Sequence, residues 1–197
     1  MRSYSEANVI QNIEETRSFF KKLINLRKLL KIELNKNEYA RGKVFCNDIK
    51  ETFKGEINRF DIEKLIYVLY MDFLEQVRDG LSHKDIAAYL AKNKMKYYTV
   101  QQSEVTTLVQ VTKKHFKLKT GLDFVNSRSD DTTILLISMK ETELLRGETL
   151  LNDIEHLIVD YKLTVEELLT ILYLEFIDDI KKEGITRDLQ LNIINMI

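Results

Sequence analysis

The side chains best equipped for recognition chemistry are concentrated in one stretch, "MKYYTVQQSEVTTLVQVTKKHFKLK", Met95 to Lys119. It interleaves amides and hydroxyls (Gln101, Gln102, Ser103, Thr106 and Thr107) with lysines (Lys96 before them, Lys113, Lys114 and Lys117 after), and Lys94 immediately precedes it. Amides bond the edge of adenine, hydroxyls accept either base edge, and lysines hold phosphates. The wider segment from Arg78 to Lys119 has nine Lys/Arg against three Asp/Glu, in a chain whose net charge is −1. A basic centre in an otherwise acidic protein is where a polyanion would sit.

Catalytic chemistry has no comparable concentration. His83, His115 and His156 are scattered without a second ligand at metal spacing, and no Gly-rich phosphate loop or nucleophile elbow occurs. Acidic pairs such as Glu166-Glu167 and Asp178-Asp179 fit solvated helix faces. Neither an enzyme nor a bound cofactor or metal is expected. The single cysteine, Cys46, cannot form a disulfide within the chain and reads as a small buried apolar residue in a reducing, cytoplasmic setting. The start of the sequence lacks a secretory pattern, and no apolar run approaches the ~18 residues of a membrane span.

The elements expected to position the recognition residues form a helix-turn-helix over 61–119. An amphipathic helix ends at Gly80, and a second, capped at Ser82, turns Ile86, Ala87 and Leu90 inward. A break at 94–99 then precedes a third helix with Val105, Leu108 and Val109 inward and the amide and hydroxyl residues outward. The expected function is therefore that of a sequence-specific, DNA-binding regulatory protein. A helical adaptor or inhibitor that docks a basic protein partner is the alternative. Its basis is the acidic stretch from Glu148 to Ile197, with eleven Asp/Glu against four Lys/Arg.

A second pattern organises the whole chain. "RGKVFCNDI" (Arg41 to Ile49) and "RGETLLNDI" (Arg146 to Ile154) repeat Arg-Gly and Asn-Asp-Ile at the same spacing. Downstream, Phe60 to Ile86 matches Leu163 to Leu189, pairing Leu69 with Leu172, Tyr70 with Tyr173 and Phe73 with Phe176. More weakly, Ser5 to Gln11 echoes Ser103 to Gln110. The expectation is a tandem duplication, residues 1–100 and 101–197, each copy a four-helix unit of about 98 residues. The total absence of proline, where average usage of about 5% would give roughly ten, points to an all-α fold.

In each copy the first helix starts at a serine (Ser5, Ser103) and the second covers 36–53 or 141–159. The third follows Asp61 or Thr164 and ends at Gly80 or Gly184; the fourth follows Ser82 or Thr186. Residues 120–133 read as a loop. Alternatively, "FKLKTGLDFV" reads as a short β-hairpin turning at Thr120-Gly121, within an expected hairpin region near 116–137, and "TILLISM" is β-branched enough for a strand.

In helical geometry Arg41, Asn47 and Asp48, and their counterparts Arg146, Asn152 and Asp153, form a repeated polar motif, structural or ligand-binding. The helix-interior glycines Gly42 and Gly147 cost about 1 kcal/mol relative to alanine, which implies close approach of another backbone. The whole is expected to be a monomer with approximate twofold symmetry or a homodimer, in which the helix beginning at Ser5 packs beside 164–182 and 186–196.

Overall fold

The computed structural model describes residues 27–53, 59–112, 115–125, 131–158 and 162–196, with only the backbone described over 99–112 and 115–125. The order is β1 (Arg27–Asn35), α1 (Lys36–Thr52), α2 (Ile62–Arg78), α3 (His83–Tyr97), β2 (Thr99–Thr112) and β3 (His115–Val125). It continues with β4 (Thr132–Lys140), α4 (Glu141–Ile154), a 3-10 turn (Glu155–Leu157), α5 (Val165–Glu183) and α6 (Arg187–Asn195). Among the described residues no helix is long and apolar enough to cross a membrane.

The fold is mostly helical but not all-α, and four-helix units of about 98 residues are not what it contains. A strand followed by three helices occurs twice, as β1-α1-α2-α3 and β4-α4-α5-α6. The expected first helix of the second copy is absent: Ser103 lies inside β2. The physical reason is local, since "TVQQSEVTTLVQVT" is rich in Val and Thr, which lose side-chain freedom in a helix and pack well on a pleated surface. The helix expected from Ser5 to Phe20 lies outside the described residues.

β1 and β4 pair antiparallel, from Arg27 opposite Lys140 to Asn35 opposite Thr132. Alternation sends Leu30, Ile32 and Leu34, with Leu135, Ile137 and Met139, into the core, where all are buried. At the middle of the ladder Lys31 faces Leu136, the same separation in sequence as Arg41 from Arg146. The packing is crossed: α2 lies on β4, α5 on β1, and α2 and α5 on each other.

The helices begin and end where local chemistry dictates. Asp61 Oδ1 accepts from the Lys64 N–H at 2.9 Å. Thr164 and Glu167 form a reciprocal capping box, with bonds of 3.2 and 3.1 Å. Ser82 and Thr186 cap α3 and α6 with side-chain bonds to the Asp85 and Leu189 N–H groups. α2 and α5 are followed by Gly80 and Gly184 at φ of +113° and +79°, a region that side chains with a Cβ avoid.

The repeated Arg-Gly motif has a specific cause. Tyr70, from α2, donates its hydroxyl to the Glu143 carbonyl of α4 at 2.8 Å. Tyr173, from α5, donates to the Glu38 carbonyl of α1 at the same distance. Each hydroxyl also interacts with the N–H one turn further on, that of Gly147 or Gly42. Both tyrosine rings are fully buried. A Cβ on Gly42 would overlap the Tyr173 hydroxyl, and one on Gly147 the Tyr70 hydroxyl. The close approach expected at these glycines is therefore real, but it is made by a tyrosine of the other half rather than by a backbone.

Replacing Gly147 with Ala should destabilise the protein by about 2 kcal/mol, because steric overlap outweighs the gain in helix propensity. Tyr70→Phe removes the overlapping atom and leaves the ring at 3.2 Å from the new Cβ. In a urea-unfolding double-mutant cycle the pair should then be less destabilised than the sum of the single variants by about 1–2 kcal/mol. Strict additivity would show that the hydroxyl does not dictate the glycine.

Candidate nucleic-acid interface

The helix-turn-helix is replaced by a helix that runs into a β-ribbon. α3 ends at Tyr97, and after Tyr98 the chain enters β2, which pairs antiparallel with β3. Gln101, Gln102, Ser103, Thr106 and Thr107 lie on β2, and Lys117 on β3. Thr106 is opposite Thr120, Thr107 opposite Lys119, and Lys117 opposite Val109. Thr120 and Gly121 therefore lie within a strand, not at a turn. The reversal comes between Thr112 and His115, and Lys113 and Lys114, which occupy it in sequence, lie outside the described residues. A strand's period of two does not gather positions 101, 102, 103, 106 and 107 on one face, as the expected recognition helix would have done. The ladder shifts register between Val100 and Glu104 and again between Gln110 and Thr112. Such irregularities bend a ribbon and increase its twist.

The ribbon's marked contact with the body is with α3, the helix that leads into it. That helix is fixed by a polar seam against α5. Lys94 is buried, and its Nζ lies 2.8 and 2.9 Å from the two carboxylate oxygens of Glu167. Asn93 Nδ2 donates to Glu175 at 2.9 Å and the Tyr97 hydroxyl to Asp178 at 2.9 Å. Lys96 reaches Asp178 at 2.6 Å, and Lys181 links Asp178 to Glu38 of α1. Lys94 and Lys96, expected to hold phosphate, are thus joined to carboxylates of the other half. Sequence patterning could not separate them from the ribbon lysines, because an intramolecular partner more than 70 residues away leaves no local signal.

The seam also sets the ionisation of its members. Burial alone would push the Asp178 carboxyl up, but hydrogen bonds from Lys96, Lys181 and Tyr97 outweigh it and hold the group at about 2. Burial, followed by hydrogen bonding to a carboxylate, pushes the Tyr97 and Tyr89 hydroxyls up, with Asp178 and Glu175 as the respective partners.

The repeated polar motif does not converge on a ligand. Arg41, Asn47, Arg146, Asn152 and Asp153 are exposed and Asp48 is half-buried, while the glycines between them are buried. The residues that sequence comparison left without a role are Tyr70 and Tyr173, although their recurrence at matched positions was the available signal. Among the described residues no cluster of three His, Cys, Asp or Glu side chains is arranged to hold a metal ion. Burial pushes the Cys46 thiol up to about 12, an unreactive state at neutral pH. Comparisons with protein-family models, curated proteins and solved structures found no match to this chain.

Two outcomes test the seam. Lys94→Ala leaves a half-buried carboxylate without its cation and should lower stability by about 3 kcal/mol. Lys96→Ala, at a more exposed pair, should lower it by less than about 1 kcal/mol. Equal effects in urea unfolding would contradict this division. A depressed carboxyl contributes stability that is present above its ordinary value of 3.8 and is lost as pH falls towards about 2. Between pH 5 and pH 2 the urea midpoint of the parent should accordingly fall further than that of Asp178→Asn. Parallel curves would show that Asp178 is not the titrating group.

Proposed function

We propose that the protein is a non-enzymatic regulatory protein that binds double-stranded DNA through the β2–β3 ribbon. The observation that carries this reading is the partition of the basic residues. In the body, Lys94 and Lys96 are paired with Glu167 and Asp178. Lys117 instead lies on β3, and Lys113 and Lys114 fall between the two strands in sequence. The major groove admits a two-stranded ribbon as readily as a helix, so loss of the recognition helix leaves the mode of entry intact. Those of Gln101, Gln102, Ser103, Thr106 and Thr107 that share the groove-facing side of β2 would supply the amide and hydroxyl chemistry that distinguishes base edges, and the lysines would supply sequence-independent phosphate attraction. α3, anchored by its seam, would act as the rigid base of the arm.

A second reading draws on exposed carboxylates of the other half. Glu148, Asp153, Glu183 and Asp188 face solvent and are suited to a basic protein surface. The two readings part in one measurement. Duplex-DNA anisotropy across a salt series should give log K falling linearly with log salt, and Lys113→Ala, Lys114→Ala and Lys117→Ala should each reduce the slope by about one unit. If the triple substitution left DNA affinity unchanged, the ribbon reading would be lost.

A further inference from the structure

The polar seam exists on one side of the molecule only. On α5, Glu167, Glu175 and Asp178 are engaged by Asn93, Lys94, Lys96 and Tyr97 from the end of α3. Taking Tyr70 and Tyr173 as equivalent, the position on α2 that matches Glu167 is Lys64. In place of a second seam there is a groove of about 660 Å³ between α2, α4 and the end of α6. Val68, Met71, Leu74 and Leu150 give it an apolar lining, to which α2 adds Lys64 and α4 adds Arg146. A neighbouring hollow of about 460 Å³ shares Arg146 and Leu150 with the groove and continues to Leu145, which is 42% exposed.

The charges of the groove are not balanced from within. Asp72 already accepts from Gln76 at 2.6 Å, and Glu75 is paired with Arg78 at 2.6 Å. Lys64 lies over the Tyr67 ring, 4.9 Å from its centre, and among the described residues neither Lys64 nor Arg146 meets a carboxylate. Two uncompensated cations beside an apolar lining suit an occupant that carries carboxylates next to hydrophobic side chains. Shape narrows the choice. From Lys64 to Arg78, α2 rises about 21 Å, the length of a helix of roughly fourteen residues. Helices that dock in grooves present apolar anchors three and four residues apart, and Val68, Met71 and Leu74 recur along α2 at that spacing. Nucleic acid would satisfy the cations but gain nothing from Met71 or Leu150. A second copy has no suitable helix among the described residues, since each turns its apolar stripe into the shared core.

We infer that this groove is the docking site for an acidic amphipathic helix of a partner protein. Its apolar stripe sits on Val68, Met71 and Leu74, and its carboxylates reach Lys64 and Arg146. The arrangement is the seam with its polarity exchanged. There the arriving helix brings lysines to the carboxylates of α5, whereas here α2 and α4 hold the cations. No residue that lines the groove belongs to the β2–β3 ribbon, so the docking does not rest on the DNA reading.

The test is the fluorescence anisotropy of two labelled peptides, the acidic EELAELLEELAELE and its basic counterpart KKLAKLLKKLAKLK, titrated with the full chain. Docking predicts that the parent binds the acidic peptide at least about tenfold more tightly than the basic one. Lys64→Glu with Arg146→Glu should reverse that preference, a result that misfolding cannot imitate. Met71→Asp should weaken the acidic peptide at least about tenfold; if that variant unfolds, the charge reversal decides alone. Failure of the parent to bind the acidic peptide, equal binding of both, or a preference that survives the charge reversal would each overturn the proposal. Displacement of the bound peptide by duplex DNA would also overturn it, by assigning the cations to nucleic acid. So would peptide binding confined to concentrations at which the chain is monomeric, by assigning the groove to a second copy.

Discussion

The fold depends on two tyrosine hydroxyls, each inserted into the first turns of a helix from the opposite half. A buried hydroxyl without a partner would cost about 1–3 kcal/mol, so each must find an acceptor, and each takes a helical carbonyl, Glu143 or Glu38. That choice propagates. The hydroxyl occupies the space where the side chain of the residue four positions on would project, so that residue is glycine in both helices. The glycine face then brings α1 to α5 and α4 to α2, and the strands that run directly into α1 and α4 must cross beneath them as an antiparallel pair. Neither half can satisfy its own tyrosine, and the core is accordingly one continuous cluster that draws on both halves.

Against that frame, much of the helical body was legible in the sequence. The apolar spacing of α2 and α5, their caps at Asp61 and Thr164 and their exits at Gly80 and Gly184 are local signals, and the structure has them at those positions. What was not legible is non-local. β1, "RKLLKIELN", alternates buried Leu30, Ile32 and Leu34 with charged residues. Its period of two is short and lies in a Lys-, Leu- and Glu-rich context that equally suits a helix, so only pairing with β4 decides it. For 99–112 the faint echo between Ser5–Gln11 and Ser103–Gln110 argued for a helix while the run of Val and Thr argued for a strand. The local chemistry prevailed.

The same distinction separates the candidate interface residues. Lys94, Lys96, Lys113, Lys114 and Lys117 look alike as sequence, since charge and spacing carry no record of a partner. In the folded chain Lys94 is 3% exposed and engaged by Glu167, a structural role. Lys117 lies on a strand that is bound chiefly to its ribbon partner. Isolated two-stranded ribbons are marginally stable in water, so an arm of this kind gains order from what it contacts. This is why the proposed interface is placed on the arm and not on α3, whose polar groups are engaged in holding it to α5.

The two halves share their apolar core and differ in the polar layer around it. Tyr67 sits three residues before Tyr70 and donates to Glu143 at 2.9 Å, whose second oxygen closes a bond to the Lys140 N–H. The residue three before Tyr173 is Thr170, which instead donates its hydroxyl to the Glu166 carbonyl of its own helix. Glu38, the counterpart of Glu143, consequently has one oxygen paired with Lys181 and the other buried without a hydrogen-bond partner among the described residues. Lys181 compensates by charge for what Thr170 cannot supply by hydrogen bonding, and in doing so it ties α1 into the Asp178 seam. A core held by reciprocal tyrosines tolerates such divergence because the surrounding polar contacts are not needed to join the halves. They are free to differ, with α3 anchoring a ribbon on one side and α2 presenting a groove on the other.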